Sequence, residues 1–161
     1  MLYRRHFRSR QKRGARVGNT KRGKGTKLMV VADNASLPLA IYAQSAAPHE
    51  VRLVGETLQA SFVSRQPVRL IGDKAYDSDP LDQELKEQGI EMIAPHKRNR
   101  KKPKTQDGRS LRRYKRRWKV ERFFAWLQNF RRVATRFDYK AENYLGFVHL
   151  GCIVILLRTY L

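Results

Sequence analysis

Val68-Arg-Leu-Ile-Gly-Asp73 is a short apolar run that ends on an acid. Its length and branched residues read as a buried strand, with Asp73 delivered to its C-terminal tip. Ser78-Asp-Pro-Leu-Asp-Gln-Glu-Leu85 then starts a helix, with Asp79 expected as N-cap and Pro80 at the first helical position. Gly89-Ile-Glu-Met-Ile-Ala94 is a further strand. A strand, a crossover helix and a second strand indicate an α/β sheet covered by helices.

The flanks extend this plan. Upstream, Leu28-Met-Val-Val-Ala32 reads as a strand and Asp33-Asn34 as a tight turn. Leu37-Pro-Leu-Ala-Ile-Tyr-Ala43 is the returning strand of the hairpin. Pro38 restricts that strand to an edge, or itself to the strand's start. Pro48-His-Glu-Val51 opens a helix expected to reach residue 64 or so. Downstream, residues 96–108 form a basic loop. Residues 110–145 contain no Gly or Pro and read as a long basic helix, and residues 144–161 as an apolar C-terminal helix. Residues 1–26 are expected as an irregular basic segment and residues 27–161 as the folded domain.

Composition narrows the partner. The chain has 161 residues and a formal charge of +21, from 35 Lys+Arg against 14 Asp+Glu. Eleven of those cations fall in residues 1–32, where no acid occurs. Such an excess favours a polyanion, because each phosphate contact releases counterions. Charge alone does not separate DNA from RNA or from an anionic membrane. One cysteine, Cys152, cannot form an internal disulfide; it sits in an apolar run and reads as a buried small hydrophobe. The basic N-terminal stretch has no apolar run after it, as a secretory signal would. The apolar run of residues 151–157 is too short to span a bilayer, and Arg158 follows it. The expected setting is therefore the cytoplasm, with no membrane partner.

Tyr114-Lys-Arg-Arg-Trp-Lys-Val-Glu121 carries the second candidate acid. Tyr114, Arg117 and Glu121 stand at i, i+3 and i+7, on one face of a helix. A carboxylate among Lys115, Arg116, Arg117, Lys119 and Arg122 suggests an acid that holds a metal ion inside a phosphate-attracting surface. The plainer reading is a solvated basic face with one salt bridge. Asp73 tips the balance, since two carboxylates at a strand tip and on a later helix can hold Mg²⁺ (or Mn²⁺) beside a phosphodiester. Lys97, Arg98, Arg100, Lys101 and Lys102 in the basic loop are phosphate-contact candidates. His96 reads equally as a phosphate contact or a turn residue; His49 and His149 read as structural or solvated. Phe123, Phe124, Leu127, Phe130 and Trp126 read as core. Trp118 is expected to pack, with stacking on a base as the alternative.

Three stretches carry a family resemblance: Gly72-Asp-Lys-Ala-Tyr-Asp-Ser78, Ile93-Ala-Pro-His-Lys-Arg-Asn-Arg100 and Arg117-Trp-Lys-Val-Glu-Arg-Phe-Phe-Ala-Trp126. They resemble the DDE transposases of bacterial insertion sequences, in the grouping of families four and five, over nearly all of residues 18–161. The resemblance implies an RNase H-like mixed sheet flanked by helices and a metal-binding triad of two Asp and one Glu. It implies DNA cleavage and strand transfer on double-stranded DNA, at element ends and target. A homodimer when active and a location with the bacterial nucleoid are implied too. Asp73 matches the second Asp and Glu121 the Glu. Tyr114, Arg117 and Glu121 match the family's Tyr-Arg-Glu-Lys signature, with Gln128 at the Lys position as a neutral DNA contact.

The first Asp has no match. It belongs on a first strand ahead of the hairpin, so that strand is expected to be missing or altered. Asp33 stands nearest, but it reads as a turn residue. Tyr3-Arg-Arg-His-Phe-Arg-Ser-Arg-Gln-Lys-Arg-Gly14 is foreign to a buried strand. The genetic code permits codons for it that, read one nucleotide later, give Ile-Asp-Gly-Thr-Phe-Val-Ala-Ala-Lys-Lys-Gly. This suggests a downstream reading frame, or a truncated relic, of a split transposase that is inactive without an upstream-frame part. The alternative is a basic nucleic-acid-binding fragment without catalysis.

Overall fold

The computed structural model describes residues 2–8, 14–20, 23–106 and 108–161. In chain order these form β1 (Leu2–Arg8), β2 (Gly18–Thr20), β3 (Gly23–Ala32), β4 (Pro38–Ser45), α1 (Val54–Gln59), β5 (Arg69–Ile71), α2 (Asp79–Glu87), β6 (Glu91–Ile93), α3 (Gly108–Tyr114), α4 (Trp118–Leu127), α5 (Arg131–Ala134) and α6 (Ala141–Tyr160). The architecture is mixed α/β. β3 sets the layers, because its residues alternate between two cores. Leu28, Val30 and Ala32 join Phe123, Phe124 and Leu127 of α4 and Tyr144, Val148 and Cys152 of α6. Met29 and Val31 join Val54 and Leu58 of α1, Leu70 of β5, and Leu81 and Leu85 of α2.

β4 returns along one edge of β3 after the Asp33 turn, and Pro38 is its first residue, paired with Ala32. β1 runs antiparallel to β3 over its whole length, from Leu2 opposite Val31 to Arg8 opposite Gly25. This corrects the expectation of an irregular N-terminal segment: residues 1–26 hold β1, β2 and the start of β3. Of that segment, residues 1, 9–13, 21 and 22 lie outside the described residues. The physical reason is that pairing uses the backbone. A buried β3 needs partners for its N–H and C=O groups, and any Pro-free stretch can supply them. β1 carries no acid in Leu-Tyr-Arg-Arg-His-Phe-Arg.

β5 and β6 pair in parallel, Leu70 opposite Met92, as a separate two-stranded sheet joined through α2. The α2 start differs by one residue from expectation. Ser78 is the N-cap and Asp79 the first helical residue, its carboxylate drawn to Arg100 and Lys102. The helix expected to reach residue 64 ends at Gln59. The long basic helix is also divided. Lys115–Arg117 is a 3-10 turn between α3 and α4, and Phe130 and Thr135 bracket α5 in extended conformation.

Arg136 explains the break before α6. It is fully buried. Its guanidinium donates to Thr26 Oγ1 and to the carbonyls of Ala15 (2.8 Å), Asp138 (2.9 Å) and Tyr139 (3.0 Å), and stacks on the Tyr144 ring. Those carbonyls can converge on one guanidinium only if residues 135–140 leave the helix. Helix propensity, worth under about 1 kcal/mol per residue, yields to satisfying a buried charge.

Lys27 and Glu50 form a second buried polar link, 2.8 Å apart with both side chains almost fully enclosed. Lys27 also donates to the Pro48 carbonyl, tying β3 to the turn that leads into α1. Removing one partner leaves the other charge buried and uncompensated, at about 3–5 kcal/mol. Lys27→Met is therefore expected to destabilise the chain by that order in urea unfolding. Adding Glu50→Leu is expected to recover at least half of the loss.

Candidate active site and nucleic-acid interface

Asp73 leaves β5 through Gly72. A Cβ on Gly72 would lie 2.6 Å from Met92 Cε and 2.6 Å from Tyr76 Cδ2, so only glycine lets the chain pass this close to the buried Tyr76. Gly72 N–H donates to the Ile93 carbonyl of the neighbouring strand at 2.9 Å. Asp73 Oδ1 then accepts from Ala75 N–H at 2.7 Å and caps the 3-10 turn Lys74–Tyr76. The acid thus stands just past the end of a strand, half-buried.

Glu121 lies in the first turn of α4 and is 44 % exposed. Arg117 sits 3.8 Å from it, and Arg117 Nη1 donates to the Tyr114 hydroxyl at 3.0 Å. The shared face of Tyr114, Arg117 and Glu121 is therefore formed, although an exposed pair at this distance contributes less than about 1 kcal/mol. Gln128 caps the end of α4, its backbone N–H bonded to Phe124. Trp118 does not pack as expected: it is 48 % exposed. The Arg122 guanidinium lies 5.0 Å from both the Trp118 and Trp126 rings, one turn of α4 to either side. Arg122 also donates to Ser36 Oγ and the Ala35 carbonyl, and Lys119 to the Asn34 carbonyl. α4 thereby holds the β3–β4 turn.

That turn fixes Asp33. Its Oδ1 accepts from Ala35 N–H and Leu37 N–H, both at 2.8 Å, and its backbone N–H donates to the Leu37 carbonyl. The carboxylate organises the turn, as its sequence context predicts. Asp33 lines a cavity of about 280 Å³ with Arg69, Ile71, Arg113, Arg116 and Lys119; neither Asp73 nor Glu121 belongs to its wall. Among the described residues, no three His, Cys, Asp or Glu side chains form a group able to hold a metal ion.

The basic loop after β6 is ordered by an acid that sequence reasoning passed over. Asp77 Oδ2 accepts from Lys97 N–H (2.8 Å), and its Oδ1 meets His96 Nδ1 (2.9 Å) and Arg100 Nη1 (2.8 Å). His96 Nε2 accepts from Thr105 N–H at 3.2 Å, which places the ring proton on Nδ1, toward Asp77. Arg100 continues to Asp79 (2.6 Å) and to the Pro103 carbonyl. It is 11 % exposed, braces the loop, and also lines the basic cavity beside it. Lys97 Nζ reaches the Asp77 carbonyl, and Lys102 pairs with Asp79. Arg98, Lys101 and Lys104 are exposed. Arg98 and Lys104 line a cavity of about 680 Å³ with Lys97, Lys102 and Gln106. The one signal for Asp77 was its place four residues beyond Asp73, just ahead of a helix start.

Burial raises the Asp77 carboxyl, but the Lys97 N–H, His96 and Arg100 outweigh it and hold it below the usual carboxylate range. Asp82, one turn into α2, goes the other way. Burial, with Asp79 and Asp77 close by, pushes it up to about 6. Its Oδ1 is buried without a hydrogen-bond partner, as fits a carboxyl that resists ionising.

Comparison with known proteins gives concordant matches. The family model described as the transposase DDE domain matches residues 3–157. A transposase for insertion sequence element IS402 of Burkholderia cepacia is 31 % identical over 143 residues, covering 84 % of this chain and 64 % of that protein. A transposase for insertion sequence element IS6501 of Brucella ovis is 35 % identical over 138 residues, covering 83 % of this chain and 98 % of that protein. The chain thus spans just under two thirds of the first relative's length and nearly all of the second's. No solved structure matches.

The Asp77 network makes Asp77→Asn a loop variant rather than a core variant. Trypsin cleavage between Lys97 and Lys104 is expected to accelerate several-fold, with little change in Tm. For Asp82, the folded pKa lies above the unfolded one, so the native state binds the extra proton and stability falls as pH rises from about 4 through about 6. Asp82→Asn is expected to raise Tm at pH 8 and to leave it unchanged at pH 3.5; thermal melts at the two pH values check this.

Proposed function

The chain belongs to the transposase DDE-domain family, and on that footing we propose that it derives from the DNA strand-transfer domain of an insertion-sequence transposase and, by itself, holds DNA without cutting it. The observation that carries the reading is β1. It runs against β3 where the family resemblance expects the first acid-bearing strand, and it contains no acid. The antiparallel β4–β3–β1 arrangement, followed by the parallel β5–α2–β6 unit and the α3–α6 helices, is compatible with an RNase H-like plan. Asp73 just past the end of β5 and Glu121 at the start of α4 suit the second and third acids.

The donor set does not fit a pair of divalent ions. Two acids are available, and Asp33 is tied into its own turn. Two-ion chemistry needs ligands that hold both ions in line with the scissile phosphate, and two carboxylates do not complete such a centre for Mg²⁺ or Mn²⁺. What this chain's own residues do is hold DNA. Asp77 and Arg100 brace the loop, and exposed Arg98, Lys101 and Lys104 meet phosphates. The Tyr114–Arg117–Glu121 face and Gln128 continue the cationic surface along the helices. The DNA partner sets the place of action, the bacterial cytoplasm at the nucleoid. The shift of one nucleotide gives the account of β1: the acid of Ile-Asp-Gly-Thr-Phe would take the register of Arg4, opposite Met29.

Binding to duplex DNA is expected to weaken steeply with salt and to show little sequence preference. Replacing Arg98, Lys101 and Lys104 together by Gln, with Arg100 kept as the brace, flattens the log–log salt slope by about 0.9 for each phosphate no longer neutralised. An unchanged slope would take the loop off the DNA path. The isolated chain is expected neither to nick nor to join element ends with Mg²⁺ or Mn²⁺. A product carrying the Ile-Asp-Gly-Thr-Phe strand does both, and loses both on Asp73→Ala or Glu121→Ala. Strand transfer by the 161-residue chain itself would overturn the reading.

A further inference from the structure

Arg113, Arg116 and Lys119 stand at steps of three across α3, the 3-10 turn Lys115–Arg117 and α4. In an unbroken α-helix the first and last of them would diverge by about 120°; a 3-10 turn, with three residues per turn, cuts that to roughly 60°. The break in the helix thus turns all three toward one cleft, the cavity of about 280 Å³ between these helices, the end of β3 and β5. The cleft has an apolar floor of Val31, Ala32, Leu39 and Ile71. Its rim is cationic, with Arg69 joining the row against one acid, Asp33.

Two of the rim cations are engaged within the fold and two are open. Lys119 donates to the Asn34 carbonyl, and Arg69 Nε to Glu91 at 2.6 Å. Arg113 and Arg116 are exposed, and neither side chain has a hydrogen-bond or ion-pair partner among the described residues. Asp33 Oδ1 is taken up by the N–H groups of Ala35 and Leu37.

We propose that this cleft binds a phosphate ester about the size of one nucleotide, with its phosphate on Arg113 and Arg116 and its apolar body on Leu39 and Ile71. Guanidinium forks match phosphate oxygens with paired hydrogen bonds. A bare anion would leave the floor facing water, whereas an ester covers floor and rim together. The volume stands near the small end of ligand sites, about 300 Å³, and admits one such unit rather than a duplex. Neither Asp73, Glu121 nor the loop after β6 lines the cleft, so it binds its ligand whether or not that loop holds DNA.

Isothermal titration of the nuclease-treated full chain, in about 0.3 M NaCl, tests this with dAMP, deoxyadenosine, inorganic phosphate and a five-residue oligo(dA). Expected is one dAMP per chain with Kd below about 1 mM, and deoxyadenosine and inorganic phosphate each at least ten-fold weaker. Arg113→Gln with Arg116→Gln is expected to weaken dAMP at least ten-fold. Lys86→Gln with Arg158→Gln removes the same charge from exposed positions outside the cleft, and is expected to change dAMP binding less than two-fold. Oligo(dA) that binds ten-fold tighter than dAMP, with the same dependence on Arg113 and Arg116, identifies the ester as part of a single strand; equal affinity identifies a free one. Inorganic phosphate that binds as tightly as dAMP would mean an adventitious ion only and overturns the proposal. An equal loss in both double variants overturns it too, as does no dAMP binding up to about 10 mM.

Discussion

β3 must bury both faces and satisfy both edges, and the rest of the molecule is arranged around that requirement. From Gly25 to Ala32 every residue of the strand is buried. One face needs α4 and α6, the other α1, α2 and β5. One edge takes β4, and the other takes β1. Leaving a buried backbone donor or acceptor unpaired costs about as much as a lost hydrogen bond or more. That penalty recruits an arginine-rich segment into the sheet. Lys27 is the one charge the strand itself carries inward, and Glu50 makes it tolerable.

Four of the 14 acids have defined structural tasks. Glu50 neutralises Lys27, Asp33 shapes the β3–β4 turn, and Asp77 and Asp79 order the basic loop through Arg100. Among the described residues, Asp73 is held as a cap of its own turn and Glu121 meets Arg117 through a long contact. These two are also the acids that the family resemblance selects.

Cations divide in the same way. Arg136, Lys27 and Arg100 face inward and serve as cross-links, because a guanidinium or ammonium can gather several oxygens from distant segments. Arg98, Lys101 and Lys104 face solvent. Arg122 stands between the groups, stacked between two tryptophans while it grips the β3–β4 turn. Among the described residues, exposed cations are held on a braced loop and a braced helix.

Local pattern was enough for the elements whose residues report directly on burial or turn geometry. The hairpin around Asp33, the strand before Asp73, the crossover helix behind Ser78 and the Tyr114–Arg117–Glu121 face all follow from spacing and turn chemistry, since these depend on neighbours in sequence. The two acids that the family resemblance selects each lie in a compact motif. Other features depend on contacts between segments far apart in the chain, and those required the tertiary structure. β1 is a strand because β3 offers it an edge. The helix breaks before α6 because Arg136 must reach Thr26 and Ala15. The basic loop is ordered because Asp77 meets residues some twenty positions later. A side chain's composition announces that it is charged; whether that charge is turned to solvent or closed over as a cross-link is decided by which distant oxygens the fold brings to it.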